Sequence, residues 1–121
     1  MVQVINLSLL ISYSALIFWL SSQPSLQLPM AFQHQDKVIH IAAYFIMGGL
    51  AWRSFLPLSK TRTKTALLCL VFCALYGLSD EWHQSFVPGR YCDLLDWYAD
   101  MTGSVIAILV FYAIPSRATT T

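Results

Sequence analysis

Charge is what this sequence has least of. Only 11% of its residues are Asp, Glu, Lys or Arg, while 57% are hydrophobic. A soluble domain of comparable size carries roughly a quarter of its residues charged, so most of this surface is expected to face lipid. The formal net charge of +1, with no basic stripe interleaved with aromatics, gives nucleic acid no electrostatic footing. Cysteine is scarce as well. Cys69, Cys73 and Cys92 leave an odd thiol and fit no zinc spacing. Cys69 and Cys73, one helical turn apart in an apolar run, read as small packing residues. Internal repeats, low-complexity runs, long linkers, a serine-nucleophile motif and a dense set of histidines are all missing. The length of 121 residues allows one domain, 1–121.

What is present is apolar length. Four segments, about 4–20, 38–56, 65–84 and 94–114, reach the roughly 20 mainly apolar residues that a transmembrane helix needs. In lipid every backbone amide must be paired internally, which selects helices. The expected fold class is therefore all-α, an integral membrane bundle of four transmembrane helices. The first segment has no positive residue before its apolar run and no small-residue cleavage site after it. It reads as a retained helix that Pro24 ends. Arg53, Lys60, Arg62 and Lys64 surround the loop between the second and third segments. The positive-inside rule then makes that loop and both termini cytoplasmic, with residues 21–37 and 85–93 outside. Trp19, Trp82 and Trp97 fall near the outer ends and Trp52 and Tyr112 near the inner ones, as interfacial rings do. The tail 116–121 is short, polar and expected to fray.

Against that background the stretch DEWHQSFVPGRYCDLLDWYAD, residues 80–100, stands out. It holds five of the six acidic residues, and the sixth is Asp36. Residues three or four apart share a helix face. Asp36, His40 and Tyr44 form one such stripe, and Gly77, Asp80 or Glu81, and Gln84 a second. Asp93, Asp96 and Asp100 form a third, which continues through Gly103, Ser104 and Ala107, small residues that permit close helix contact. All three stripes lie at the outer ends of the second, third and fourth helices, so they converge if those helices pack together. Asp100 is about two turns into its helix, roughly 10 Å from Asp93. An unpartnered acid at depth costs about 2.5–3.5 kcal/mol on insertion scales. Arg90 or His40 would neutralise it in a purely structural reading; a shared cleft explains the whole set better.

The other polar residues divide by register. Pro88-Gly89 suits a type II turn that folds Arg90 over the cleft, where it would grip phosphate or carboxylate, or pair with Asp93 or Asp96. Glu81 has the better register with Gln84, although Asp80 also lies four residues before it. His83 is expected at the headgroups, His34 in an outer loop, and Lys37 snorkelling to the interface.

Asp36-Lys37-x-x-His40, Asp80-Glu81-x-x-Gln84, Val87-Pro88-Gly89-Arg90-x-x-Asp93-x-x-Asp96 and Asp100-x-x-Gly103 together resemble the VanZ-like family of small bacterial helical membrane proteins. The likeness covers residues 36–113. Many relatives carry Asn where this chain has Asp100, which adds a negative charge or a protonated acid to the cleft. The resemblance implies a multi-pass protein of the bacterial cytoplasmic membrane with a cell-envelope role. The family's namesake is associated with low-level resistance to the lipoglycopeptide teicoplanin. Carried over by motif, the ligand-binding residues are Asp36, His40, Glu81, Gln84, Arg90, Asp93, Asp96 and Asp100.

Three readings stay open. In the first, the outward cleft binds an amphiphile: a membrane lipid headgroup, a lipid-linked envelope precursor or a lipoglycopeptide. In the second, the protein is a hydrolase or transferase with His40, Glu81, Asp96 and Asp100 as candidate catalytic groups. A carboxylate beside His40 would orient it as a general base. In the third, the acids form a structural or proton-relay element. No dedicated metal set or other cofactor is expected, though His and carboxylates together leave a divalent cation open. The oligomeric state is not readable.

Overall fold

A computed structural model describes residues 1–23, 35–89 and 93–114. The described residues form four helices: α1 Val2–Ser21, α2 Gln35–Ser59, α3 Arg62–Gln84 and α4 Leu94–Ala113. No strand occurs among the described residues. Each helix is long and apolar enough to cross a membrane. Large apolar side chains on every helix point outward, among them Ile11, Phe18, Leu75 and Leu109. Such a coat suits lipid and not water, and the chain is a multi-pass membrane protein.

Helix boundaries follow local chemistry. Thr61 caps α3 by accepting from the Lys64 N–H (3.3 Å), and Asp93 caps α4 by accepting from the Leu95 N–H (2.9 Å). At the end of α2, Lys60 takes a left-handed conformation, φ 64°, while its N–H closes on the Leu56 carbonyl at 3.0 Å. Pro57 sits in the last turn of α2 and has no N–H for the Arg53 carbonyl. Asn6 of α1 supplies the missing donor through Nδ2 at 3.3 Å. Gly89 takes φ 80°, as the third position of the turn expected before α4 requires; Arg90 lies outside the described residues, as do Pro24, His34, Cys92 and the tail.

The helices run up, down, up and down. Gln3 of α1 bonds the Ser54 carbonyl near the end of α2 (2.6 Å), and Arg62 at the start of α3 bonds the Phe111 and Ile114 carbonyls at the end of α4 (3.0 and 2.5 Å). One end of the bundle thus gathers Arg53, Lys60, Arg62 and Lys64. The acids lie at the other end. Arg62 also satisfies carbonyls that the last turn of α4 leaves without donors, with its charge placed favourably on the helix dipole.

α2 and α4 form the most intimate pair, α3 packs on both, and α1 lies outside against α2 and, more lightly, α3. The core joins Tyr44, Met47, Ala51 and Trp52 of α2, Cys69 and Cys73 of α3, and Ile108 of α4. Trp52 is therefore a core residue and not an interfacial ring: it packs on Phe111 and edge-on to Tyr112. Trp97 is likewise turned inward, its Nε1 donating to the Ala74 carbonyl at 3.1 Å.

Small residues set the α2–α4 distance, as the stripe Gly103, Ser104 and Ala107 predicts. All three are buried. A Cβ on Gly103 would overlap the Ile41 carbonyl oxygen, and one on Gly48 would come within 2.9 Å of the Ala107 Cβ. Backbone atoms cannot swing aside as a side chain does. Gly103→Ala is therefore expected to lower stability by about 1–3 kcal/mol, the usual cost of overpacking a filled core. Reversible unfolding in detergent measures it; an unchanged variant would mean that the two backbones are not in contact there.

Candidate functional site

The acidic end of the bundle is built from two linked groups of polar side chains. At its rim is Lys37 of α2, which bonds Asp36 (3.2 Å), Asp93 (3.0 Å) and, at short range, Asp96. Deeper in, His40 sits one turn further along α2. Its Nδ1 lies 2.7 Å from Asp100 Oδ1, and its Nε2 lies 3.9 Å from Asp96 Oδ2. Glu81 of α3 completes the inner group. Its Oε2 accepts the Asp93 N–H at 3.2 Å, so α3 is tied to the start of α4. Side-chain exposure falls from 65% at Asp36 through 42% at Asp93 and 14% at Asp96 to zero at Asp100. The acids are graded in depth, with an ammonium beside them at the rim and an imidazole below.

One ligand-capable atom from each of His40, Glu81 and Asp100 falls within 4.8 Å of the others. Two buried carboxylate oxygens, Glu81 Oε1 and Asp100 Oδ2, have no hydrogen-bond partner among the described residues. That is a costly arrangement in a low-dielectric interior, where buried polar atoms are normally paired.

A second polar line faces α1. Ser21 at the end of α1 donates to Asp80 Oδ1, and Gln84 Nε2 donates to Ser21 Oγ at 2.9 Å. A cleft of about 110 Å³ opens beside it. Ile17, Leu20, Ile39 and Ala43 form its apolar wall; Ser21, His40, Tyr44, Asp80 and Gln84 line its polar part. The cleft is amphipathic.

The sequence motifs are thus brought together with some changes of partner. His40, Glu81, Asp96 and Asp100 converge, as do Asp93 and the rim. Asp36 does not enter the inner group: it is exposed and bonds Lys37. Lys37, expected to snorkel away, instead turns inward, because Asp93 and Asp96 give its ammonium a better environment than the headgroup layer. Gln84 shares its face with Asp80 and not with Glu81, and that face meets α1. His83 stacks on Phe18 at 4.3 Å, a further α1–α3 contact. Arg90 lies outside the described residues. Sequence reasoning missed Lys37 and Ser21. The Lys37 signal was available in its position three residues before His40; Ser21 carried none, since a lone serine at a helix end is ordinary.

A small helical membrane protein with a buried His–carboxylate group at one end is what this fold and this site define. The VanZ/LLP1 family model matches residues 2–115, and the chain belongs to that family. It is also similar to an uncharacterized protein of the fission yeast Schizosaccharomyces pombe, 32% identical over 93 residues that cover 76% of this chain. The chain spans about half (53%) of that relative's length. A likeness that reaches a yeast means that family membership alone does not place the protein in a bacterial membrane. No solved structure matches the chain.

The rim has a measurable electrostatic consequence. The Lys37 ammonium, and then the Leu95 N–H, hold the Asp93 carboxyl below the usual carboxylate range. A depressed folded-state pKa contributes stability above the unfolded value, about 3.9, and loses it as pH falls through the lower folded value. Lys37→Met should move Asp93 back toward the ordinary range in a carboxyl NMR titration, with the Leu95 N–H still holding it somewhat low, and remove the Lys37 part of the acid dependence. It also strips Asp96 of its cation, with an expected loss of about 1–3 kcal/mol. Adding Asp96→Asn should restore part of it; two independent, additive losses would show that Lys37 and Asp96 are not coupled.

Proposed function

We propose that the acidic end of this VanZ/LLP1-family protein faces away from the cytoplasm and binds the head of an amphiphile. The observation that carries the reading is the cleft between α1 and α2–α3. Its wall is aliphatic, its lining includes His40, Asp80 and Gln84, and the exposed rings of Trp19 and Trp82 lie at the same end. Indole rings favour the headgroup layer, so an amphiphile anchored beside the wall would present its head to the polar lining. The volume suits one small polar group and not a whole glycan. Among the described residues at this end, Asp36, Asp80, Glu81, Asp93, Asp96 and Asp100 outnumber Lys37, His40 and His83. That balance favours a head bearing an amine or hydroxyls, or a phosphate that brings a cation with it.

Envelope lipids, lipid-linked precursors and acylated glycopeptides of the teicoplanin type share this chemistry, an acyl or prenyl chain with a polar head. The orientation rests on Arg53, Lys60, Arg62 and Lys64 at the opposite end, which the positive-inside rule assigns to the cytoplasm together with both termini. Reporter fusions after Thr121 and within 85–93 should read opposite sides of the membrane; a cytoplasmic reading for 85–93 would reverse the cleft.

Native mass spectrometry of the detergent-purified chain tests the binding with phosphatidylethanolamine, phosphatidylglycerol, a polyprenyl phosphate and teicoplanin as probes. At least one should be retained, and Gln84→Ala and His40→Ala should each weaken retention by about tenfold, equivalent to 1.4 kcal/mol, without unfolding the protein. Equal retention by wild type and both variants would defeat the reading.

One contact favours an enzymatic version of the same site. His40 Nδ1 at 2.7 Å from a fully buried Asp100 carboxylate is the geometry of an oriented general base. If the protein turns over a bound lipid ester, Asp100→Asn should lower the rate by about 10²–10⁴ while the amphiphile is still retained. Loss of both together would assign Asp100 to binding alone.

A further inference from the structure

We propose that His40, Glu81 and Asp100 form a divalent-cation site, suited to Zn²⁺ or Mn²⁺, that bridges the acidic cluster to an anionic head in the adjoining cleft. The three residues come from different helices, α2, α3 and α4, and offer one nitrogen and two carboxylate oxygens within 4.8 Å of one another. Around an ion with bonds of about 2.0–2.1 Å, ligand atoms sit roughly 3.3 Å apart. Small side-chain rotations close that difference.

The independent observation is the pair of partnerless buried oxygens. Glu81 is 2% exposed and Asp100 fully buried, yet among the described residues Glu81 Oε1 and Asp100 Oδ2 have no hydrogen-bond partner. Hydrogen bonds already occupy the other oxygen of each, Glu81 Oε2 with the Asp93 N–H and Asp100 Oδ1 with His40 Nδ1. The cation at the rim is committed elsewhere, since Lys37 bonds Asp36, Asp93 and Asp96. When Glu81 and Asp100 are both ionised beside a neutral imidazole, they carry two negative charges, which one divalent ion balances.

The His40–Asp100 contact fits the same assignment. His40 Nδ1 already faces the Asp100 carboxylate at 2.7 Å, close to the separation of two ligands on one ion, so Nδ1 is the nitrogen placed to share an ion with Asp100. Mixed nitrogen and carboxylate donors favour Zn²⁺ and Mn²⁺ over Ca²⁺, which prefers a shell of oxygens. Three protein ligands leave coordination positions open, as sites that engage a substrate or ligand do. His40 also lines the cleft, so an open position is adjacent to the place assigned to the amphiphile's head. In that last step the inference rests on the amphiphile reading; the cation site itself does not.

The test uses the full chain purified in detergent, stripped with a chelator and titrated with ZnCl₂ and MnCl₂ by calorimetry, with bound metal counted by mass spectrometry. One equivalent of at least one metal is expected, with a raised melting temperature. Glu81→Gln, which keeps the shape and loses the charge, and His40→Ala should each weaken binding by at least about tenfold. His83→Gln, at the same end but outside the group, should bind as wild type does. Failure to bind either metal, or equal binding by Glu81→Gln and wild type, overturns the site. If only His83→Gln weakens binding, the ion is adventitious and the proposal falls. Because Glu81→Gln removes a buried charge, its melting without metal should be no lower than wild type; a variant that is unfolded is replaced by Asp100→Asn in the same titration. A second arm measures retention of phosphatidylethanolamine, phosphatidylglycerol, a polyprenyl phosphate and teicoplanin with and without chelator. Metal bound but no lipid retained sinks the amphiphile reading and leaves the site. Lipid retained equally in chelator, with no metal bound, does the reverse.

Discussion

The close approach of α2 and α4 is the constraint on which the site depends. Gly103 lets the backbone of α4 meet the Ile41 carbonyl directly. Ile41 follows His40 in the chain, and Gly103 lies one turn beyond Asp100. Whatever fixes the first pair of positions fixes the second, so a backbone contact between helices becomes a 2.7 Å contact between an imidazole and a carboxylate. Long side chains at this crossing would hold the axes apart and leave Asp100 without a partner. Small residues along a membrane helix are usually explained by packing alone; here they also bring the polar groups within reach.

The second constraint is electrostatic. Six acids at one end of an otherwise greasy bundle need either water, cations or protons. The rim solves the problem with Lys37, whose three nitrogen-bound protons can serve Asp36, Asp93 and Asp96 together. That solution does not extend inward. Below it, His40 is shared between Asp100 and the more distant Asp96, and Glu81 rests on a single backbone N–H. Apolar packing could fill the same volume at lower cost. A polar group retained at that depth is best explained by what it binds, which is why the inner group and not the rim is the centre of the functional reading.

α1 changes the meaning of the cleft. It is the least integrated helix, in contact with α2 and α3 and not with α4. Yet it contributes Ile17 and Leu20 to the apolar wall and Ser21 to the polar line. The groove is therefore bounded on one side by the least integrated helix and on the other by α2 and α3. The amphiphile proposed above would enter from the lipid past α1 more readily than through the packed α2–α4 face. The family match from residue 2 to 115 includes this helix, so the wall belongs to the same unit as the acids.

The number of helices, their approximate limits and the separation of acids from bases were all fixed by the linear order of residues. Lipid admits few alternatives to a helix, and a run of about 20 apolar residues cannot easily be anything else. The convergence of His40, Glu81, Asp96 and Asp100 was also readable, because spacings of three and four put each on one face of its own helix. Which atoms would meet was not. Successive residues on a helix point about 100° apart, so a small rotation of α2 decides whether Asp36 or Lys37 turns inward, and the same holds for Asp80 and Glu81 on α3. Those rotations are set by Gly103 against Ile41, by Trp97 against Ala74 and by Ser21 against Asp80, contacts between segments far apart in the chain. Periodicity determined the faces of the helices; only their packing against one another determined the partners.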